Sequence, residues 1–367
     1  MPTPSSRPTD PPMASAAEHP MVTAVRRVCE DLLEPAAASV DRDGVPRPHL
    51  QALAGAGVFG LAAAGPDGVA VVPVAVQRQV VELLAGADLT TWFVQGQHHA
   101  VVRALTAGGR HPDELARLAR GELVAGIAFS QLRRWPRRVA GAERVTGGWL
   151  LDGELPWYTG WLLNDVMLVH ALTADGTVVQ ALLPARPQPG LVAGAPVATA
   201  ALAGSATVTL TLHGLRVEDR DVVALPSVAQ WLTADERVTA NVSPAVFGLT
   251  ATILGRLRAQ GDSRDEPEAV KAADRLGEQV HAVRDAAYRL VDETAPGEQL
   301  DRRLRLRAEA SRLVLEAAGA YVTACAGASM LPGHPAQRHA REALFLQVQG
   351  QTAAVRRAGL RAWGQPR

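Results

Sequence analysis

Proton transfer and anion binding are the chemistries this sequence has residues for. His98-His99 is a pair of imidazoles whose ordinary pKa lies near neutrality, so it reads as an acid/base pair beside a substrate or as one solvated and one packed ring. His334 and His339 flank Pro335 and read either as proton donors or as a turn residue followed by an exposed helical one. The run Arg133-Arg134-Trp135-Pro136-Arg137-Arg138 gathers positive charge into one short stretch, which is a solvated loop or a docking point for an anion. Trp157, with Tyr158 and Trp161 close behind it, packs into a core or offers its flat face to a bound ring. Arg338 and Arg341, three apart on a helical pattern, read as groups that make ion pairs within a subunit interface rather than bind substrate.

Composition narrows the class. The 367 residues suffice for two or three domains, and 47% hydrophobic against 20% charged residues is the balance of a globular protein. With 37 basic residues against 37 acidic ones, no net field points to nucleic acid or to an anionic membrane. Lys271 is the only lysine, so arginine carries almost all the positive charge. Cys29 and Cys325 stand far apart without Cys-x-x-Cys or Cys/His spacing, which argues against a disulfide framework, a zinc site or any other metal centre. Residues 1–20 are rich in Pro, Ser and Thr and lack a basic start and apolar centre, so they are expected to be a disordered tail rather than a signal peptide. Apolar runs fall short of the ~20 residues a membrane helix needs, and a cytoplasmic location is expected.

The elements that must position these side chains fall in three blocks, an α+β organisation. Residues 21–120 are expected to form an N-terminal α domain. Val25, Val28, Cys29, Leu32 and Leu33 share a helical face that Pro35 is expected to end, Asp88 caps a helix over 89–105, and Gly108-Gly109 closes it. At Gly121 the period changes, and 121–225 reads as a β-barrel or sandwich domain with strands near 124–130, 143–146, 148–151, 166–171, 178–183 and 206–212. Helical period returns over 226–367, a C-terminal four-helix bundle with helices over 230–258, 267–294, 300–325 and 335–363. No βαβ alternation and no Gly-x-Gly-x-x-Gly after a strand are present, so a Rossmann site is not supported.

In that order the chain resembles an acyl-CoA dehydrogenase over about residues 22–363. Gly121-Glu122 ahead of Phe129-Ser130-Gln131-Leu132 resembles the opening of that family's β domain, where Thr-Glu-Pro is usual. Trp157-Tyr158-Thr159 stands where the flavin strand has Trp-Ile-Thr or Trp-Ile-Ser. Gly204-Ser205-Ala206-Thr207 followed by residues 214–218 resembles the last β-strands. Pro335-x-x-Arg338-x-x-Arg341-Glu342-Ala343 resembles the family's Pro-x-x-Arg-x-x-Arg-Asp-Ala helix. The resemblance implies a homodimer or homotetramer holding FAD between the β domain and the bundle, with an acyl thioester of CoA or an acyl-carrier protein on the flavin's other face. It assigns Phe129, Ser130, Trp157, Thr159 and Gln351 to the cofactor, and Thr323 and Gly327 to the cofactor of a neighbouring subunit. It places the loop of Arg133 and Arg134 at the thioester entrance, where they would meet phosphopantetheine, CoA or a carrier protein, with Gly350 also on the substrate.

The departures bear on the chemistry. Aligned on Pro335 and Arg341, the family's base falls on Gln349, whose neutral amide cannot accept a proton. Some relatives carry the base in a Glu-Arg segment eight residues before a proline, and Glu236-Arg237 with Pro244 has that spacing, which makes Glu236 the substitute. The pyrophosphate-gripping Arg-x-x-Phe-Gly is missing: residues 255–267 hold Arg256, Arg258 and Arg264 without Phe-Gly. Three functions follow as expectations: an acyl-thioester oxidoreductase with FAD and a non-standard base, a monooxygenase of the same fold using reduced flavin and O₂, or a cofactor-free partner subunit.

Overall fold

The computed structural model describes residues 16–65, 70–137 and 139–363. Residues 1–15 of the expected tail, Arg138 of the basic run and residues 364–367 of the expected bundle lie outside them.

The helical block comes first. α1 (Pro20–Val28) runs through a π-turn (Cys29–Leu33) into α2 (Glu34–Asp43), so Pro35 does not end the helix as expected. The π-turn supplies the reason: Glu34 N–H reaches back five residues to Cys29 O, and the widened register absorbs the donor that proline lacks. Residues 16–20, expected to belong to the tail, are part of the fold, because Ala16 is buried and His19 caps α1. α3 (Arg47–Gly55), α4 (Val74–Ala87), α5 (Leu89–Gly108) and α6 (Pro112–Ala119) complete the block. Asp88 accepts from Thr90 N and Thr91 N at the start of α5, and Gly109 ends it at φ +63°, both as the sequence led us to expect.

The strands are β1 (Ala125–Ala128), β2 (Gly141–Val145), β3 (Gly148–Tyr158), β4 (Val166–Leu172), β5 (Val178–Pro184), β6 (Leu191–Ala193), β7 (Val208–Glu218) and β8 (Val222–Ala224). They form one eight-stranded sheet in the order β6-β7-β3-β2-β4-β5-β8, with β1 running parallel to β4 from Ala125 opposite Val166 to Ala128 opposite Val169. The inward faces of β3, β4, β5 and β7 pack Leu151, Leu155, Tyr158, Met167, Val179 and Leu210 into a core of their own.

Past the sheet the bundle has six helical segments rather than four: α7 (Val228–Thr239), α8 (Pro244–Arg264), α9 (Pro267–Glu293), α10 (Leu300–Cys325), α11 (Pro335–Val348) and α12 (Ala353–Trp363). The expected helix over 230–258 divides because Ser243 caps a new helix with Pro244 at its first position. The one over 335–363 divides at Gln349 to Thr352, where Gly350 takes φ +60° and the Thr352 hydroxyl accepts from Val355 N at 3.3 Å. Two helical stretches, Val228–Arg264 and Leu300–Met330, do reach the length and mean hydropathy, 1.3, of a membrane span. Ala and Gly raise that value, and the buried faces of both stretches build the bundle core. Where α8 crosses α4, a Cβ on Gly248 would stand 2.0 Å from Glu82 O, so glycine sets the approach that brings bundle and N-terminal helices together. Glu82 then accepts from Arg284 and Tyr288, and Arg78 holds Asp292 with two bonds of 2.8 and 2.6 Å.

Candidate functional site

The site begins at a bulge. Between Leu155 and Tyr158 the register of β3 against β7 slips, and Trp157 sits at φ +64°, a conformation that a bulky L-residue adopts only under constraint. Its indole is 53% exposed while its neighbours are locked. Ser130 Oγ donates to Pro156 O at 2.8 Å, and Asn164 Nδ2 donates to both the Tyr158 hydroxyl and Thr159 O at 2.9 Å. The Thr159 hydroxyl pairs with that of Thr207 at 3.0 Å and is turned into the fold. Gly126 on β1 is required here, because a Cβ would meet Asn164 at 2.2 Å and the Tyr158 hydroxyl at 2.5 Å. The surroundings thus over-determine the strained residue and present its ring outward.

Ser130 opens a short 3₁₀ turn (Ser130–Arg134) that carries the contact to α7. Arg133 holds Asp235 with two parallel bonds of 2.7 Å and lies over the Phe129 ring at 5.0 Å. Phe129 in turn faces Trp231 at 5.6 Å and His170 at 5.9 Å. Burial pushes the His170 imidazole down to about 3, so the ring is neutral and acts as an aromatic wall. Arg133 was expected to dock an anion; its charge is instead spent on Asp235. Arg134 and Arg137 lie exposed beside it.

α7 is started by a capping box between Ser227 and Gln230 and stops at Thr239. Glu236 follows Asp235 on it, half-buried, and its carboxylate makes no hydrogen bond or ion pair among the described residues. Arg307 on α10 joins this end of α7 to the turn after α11. Its guanidinium donates to Thr239 O, to Gln349 O at 2.5 Å and to Gly350 O at 3.5 Å. Burial, followed by the nearby Arg133 charge, pulls Arg307 down to about 10 against the opposing pull of Asp235. Ser130, Arg133, Asp235, Thr239, Arg307 and Gln349 therefore lie along one line of contacts, with Trp157 next to Pro156 at one end of it and Glu236 next to Asp235 on α7.

No family model matches this sequence, and no curated protein matches it. Solved structures do. A chain from a structure of the electron-transferring flavoprotein of Acidaminococcus fermentans superposes with a TM-score of 0.79 at 17% identity, over 96% of this chain and 98% of that one. Butyryl-CoA dehydrogenase from Megasphaera elsdenii gives 0.76 at 16% identity, over 94% and 97%. The chain has the acyl-CoA dehydrogenase fold. Dibenzothiophene monooxygenase from Paenibacillus sp. A11-2 shares it at a TM-score of 0.74 and 15% identity, over 94% and 97%.

Within this acyl-CoA dehydrogenase fold, other expected residues lie away from that line. Thr323, exposed, donates to Gly319 O of its own helix, and Gly327 has open space where a side chain would be. Thr323 sits 16 residues, or ~24 Å of helix, from Arg307, and Gly327 lies past the end of that helix. Gln351 is half-buried, its amide donating to Gln347 O at 3.1 Å. His98 is not solvated: its Nδ1 accepts from Ala125 N at 3.1 Å, fastening α5 to β1, and burial pulls it down to about 4. His99 is held by Gln95 at 2.8 Å and is likewise pulled down by burial. His334 caps α11, whereas His339, expected to be exposed, is buried with Nδ1 2.7 Å from Glu342. Arg338 binds the same Glu342 at 2.9 Å, and Arg341 binds Asp41, so both arginines serve ion pairs inside the chain. The arginines of 255–267 are also engaged: Arg256 with Glu34, Arg258 with Asp274, and Arg264 with Ala324 O.

Two residues of this line of contacts escaped sequence reasoning. Arg307 lies in the alternating stretch Leu300-Asp301-Arg302-Arg303-Leu304-Arg305-Leu306-Arg307, which reads as a solvated helix face. Asp235 is indistinguishable in sequence from any helical surface acid, and only the fold sets it opposite Arg133.

Proposed function

We propose that this chain is a flavin-dependent oxidoreductase acting on an acyl thioester of CoA or an acyl-carrier protein, with Glu236 taking the α-proton. The observation that carries the reading is Glu236 itself, a half-buried carboxylate without a partner among the described residues, on the segment that Arg307 ties to the Gln349 turn. Butyryl-CoA dehydrogenase shares the fold, which supports the thioester as substrate class.

The residues fit a flavin at its ring end. Trp157 offers an exposed, rigidly presented indole, and Phe129 with Ser130 forms the adjoining edge. When bound there, flavin supplies a two-electron acceptor for hydride from the acyl β-carbon. The pyrophosphate end fits less well, since Arg256, Arg258 and Arg264 are engaged within the chain. FAD would then rely on Gln351 and on Thr323 and Gly327 of another copy.

This chain's part in the reaction is positional and acid-base. The Arg133–Asp235 pair is closed on itself, so Asp235 does not compete for the proton and Glu236 is the group free to accept it. Gln349 provides a neutral amide that neither takes nor gives a proton, and Trp157 would back the flavin on the face away from the thioester. The test is an absorbance titration: flavin bound to purified protein should bleach on mixing with acyl-CoA or acyl-carrier protein. Flavin that stays oxidised across a broad thioester panel would sink this reading.

The engaged arginines favour a second reading, a monooxygenase that takes up loosely held reduced flavin and needs no base at Gln349. The dibenzothiophene monooxygenase of the same fold supports it. Substrate-dependent O₂ uptake with reduced FMN or FAD supplied in solution separates the two.

A further inference from the structure

We infer that Arg307 is a positioning residue, whose single guanidinium holds the Glu236-bearing end of α7 and the Gln349 turn at a fixed separation. What the two fastened parts do rests on the proposed function; that they are fastened does not.

Helix ends leave carbonyls without intrahelical partners, and water or a left-handed glycine usually satisfies them. Here two helices end on the same cation. α7 stops at Thr239 and α11 at Val348, and Arg307 receives Thr239 O from the first and the carbonyls of Gln349 and Gly350 from the second. A planar fork can span both; a lysine ammonium on its flexible stem cannot hold them in one geometry.

The turn has little else to hold it. Gln349 N–H returns to Phe345 O, the Gln351 amide returns to Gln347 O, and Thr352 caps α12. Among the described residues, the hydrogen bonds that leave this turn for another part of the chain all go to Arg307. Nor is Arg307 serving an ordinary ion pair, since the nearby carboxylate of Asp235 is taken by both arms of Arg133. A half-buried cation whose hydrogen bonds all go to carbonyls is costly to keep, and its return is the geometry of the groups it joins. One of those groups is the end of the helix that carries Glu236, the base of the reading above, and the other is the turn that carries the neutral Gln349 amide.

Hydrogen exchange and kinetics on the full-length protein test this together. Arg307→Met should raise amide exchange over 349–353 by about 10- to 100-fold, the loss of a hydrogen bond to a charged group, while the interiors of α8 and α9 stay protected. In the thioester assay kcat should fall about 100-fold with KM little changed, as a misplaced base predicts, and Arg307→Lys should recover only part of it. Unchanged exchange at the turn, or a uniform rise through every helix, would overturn the inference. Should Arg307→Met fail to fold, Arg307→Lys keeps the charge without the fork and is read by the same exchange pattern. Glu236→Gln keeps the two failures apart. If it turns over like the parent, the base assignment fails, and the exchange data still decide the role of Arg307.

Discussion

α11 passes two clusters of ionisable side chains that are built from the same residue types and arranged to opposite effect. Near its start, Arg338, His339 and Glu342 lie buried with Asp88 close by, and every charge is answered from within. Burial pushes the Glu342 carboxyl up, but Arg338 and the His339 ring outweigh it and hold it below the ordinary range. Just past its end, Arg133, Asp235, Glu236 and Arg307 are each half-buried, and of the two carboxylates Asp235 is paired while Glu236 is left over. A closed cluster fixes structure, because any unpaired charge in it would be expensive; an open one has a group to spare for a reactant.

Breaking each cluster at its glutamate should show the contrast most strongly. Glu236→Gln is expected to lower thioester turnover by about 10²- to 10⁴-fold, the usual worth of a positioned base, with the thermal midpoint almost unmoved. Glu342→Gln is expected to do the reverse. It leaves Arg338 buried without its carboxylate, at a cost of about 3–5 kcal/mol seen as a lower midpoint in thermal or urea unfolding. Should Glu236→Gln destabilise the fold and spare turnover, the two clusters have been assigned the wrong way round.

A pH series sharpens the closed cluster further. Asp88 is raised to about 6 by burial, against the pull of Thr91, Thr90 and Arg338 and with the push of Glu342. Its folded value lies above its unfolded value, so between the two the folded state binds the extra proton and stability falls as pH rises. Over its whole titration this group should remove about 3 kcal/mol, a little over two units at ~1.4 kcal/mol each, with about 2 kcal/mol of that falling between pH 4 and pH 6. Asp88→Asn keeps an oxygen for Thr90 N–H and removes the titration. Its stability relative to the parent should therefore improve across that window, and parallel midpoint curves for the two proteins would show the assignment to be wrong.

What the sequence made legible follows the same division. Features fixed by one or two residues in local sequence were readable: the Asp88 cap, the Gly109 exit and the helix of Leu300–Cys325. Breaks hidden in Ala-rich apolar sequence were not. Pro244 was read as lying inside a helix, and Gly350 as part of a continuous one, because the 3.6 period carries across both. β6 and β8, at three residues each, are too short to show alternation. For the candidate site, Trp157, Ser130, Glu236 and Gln349 were legible through resemblance. Arg307 and Asp235 were not, since a carbonyl clamp and a cross-element ion pair depend on which surfaces meet.

The smallest expected effect concerns the rim of the open cluster, where strain rather than charge is stored. Trp157 at φ +64° has an exposed ring, so the ring contributes little burial to offset a backbone conformation that costs a non-glycine residue about 1 kcal/mol or more. Trp157→Gly and Trp157→Ala both remove the indole and should weaken flavin binding alike. They differ in the backbone: glycine accepts positive φ and alanine does not, which should leave the glycine variant more stable by about 1 kcal/mol even after glycine's greater unfolded entropy is counted. Equal midpoints would mean that the bulge relaxes once the indole is gone. The strain would then belong to the side chain and its neighbours Ser130 and Asn164, which pin the peptide units on either side of it. A glycine variant that is more stable and yet poorer at holding flavin would mean that the fold carries this conformation for what the ring does at the open cluster.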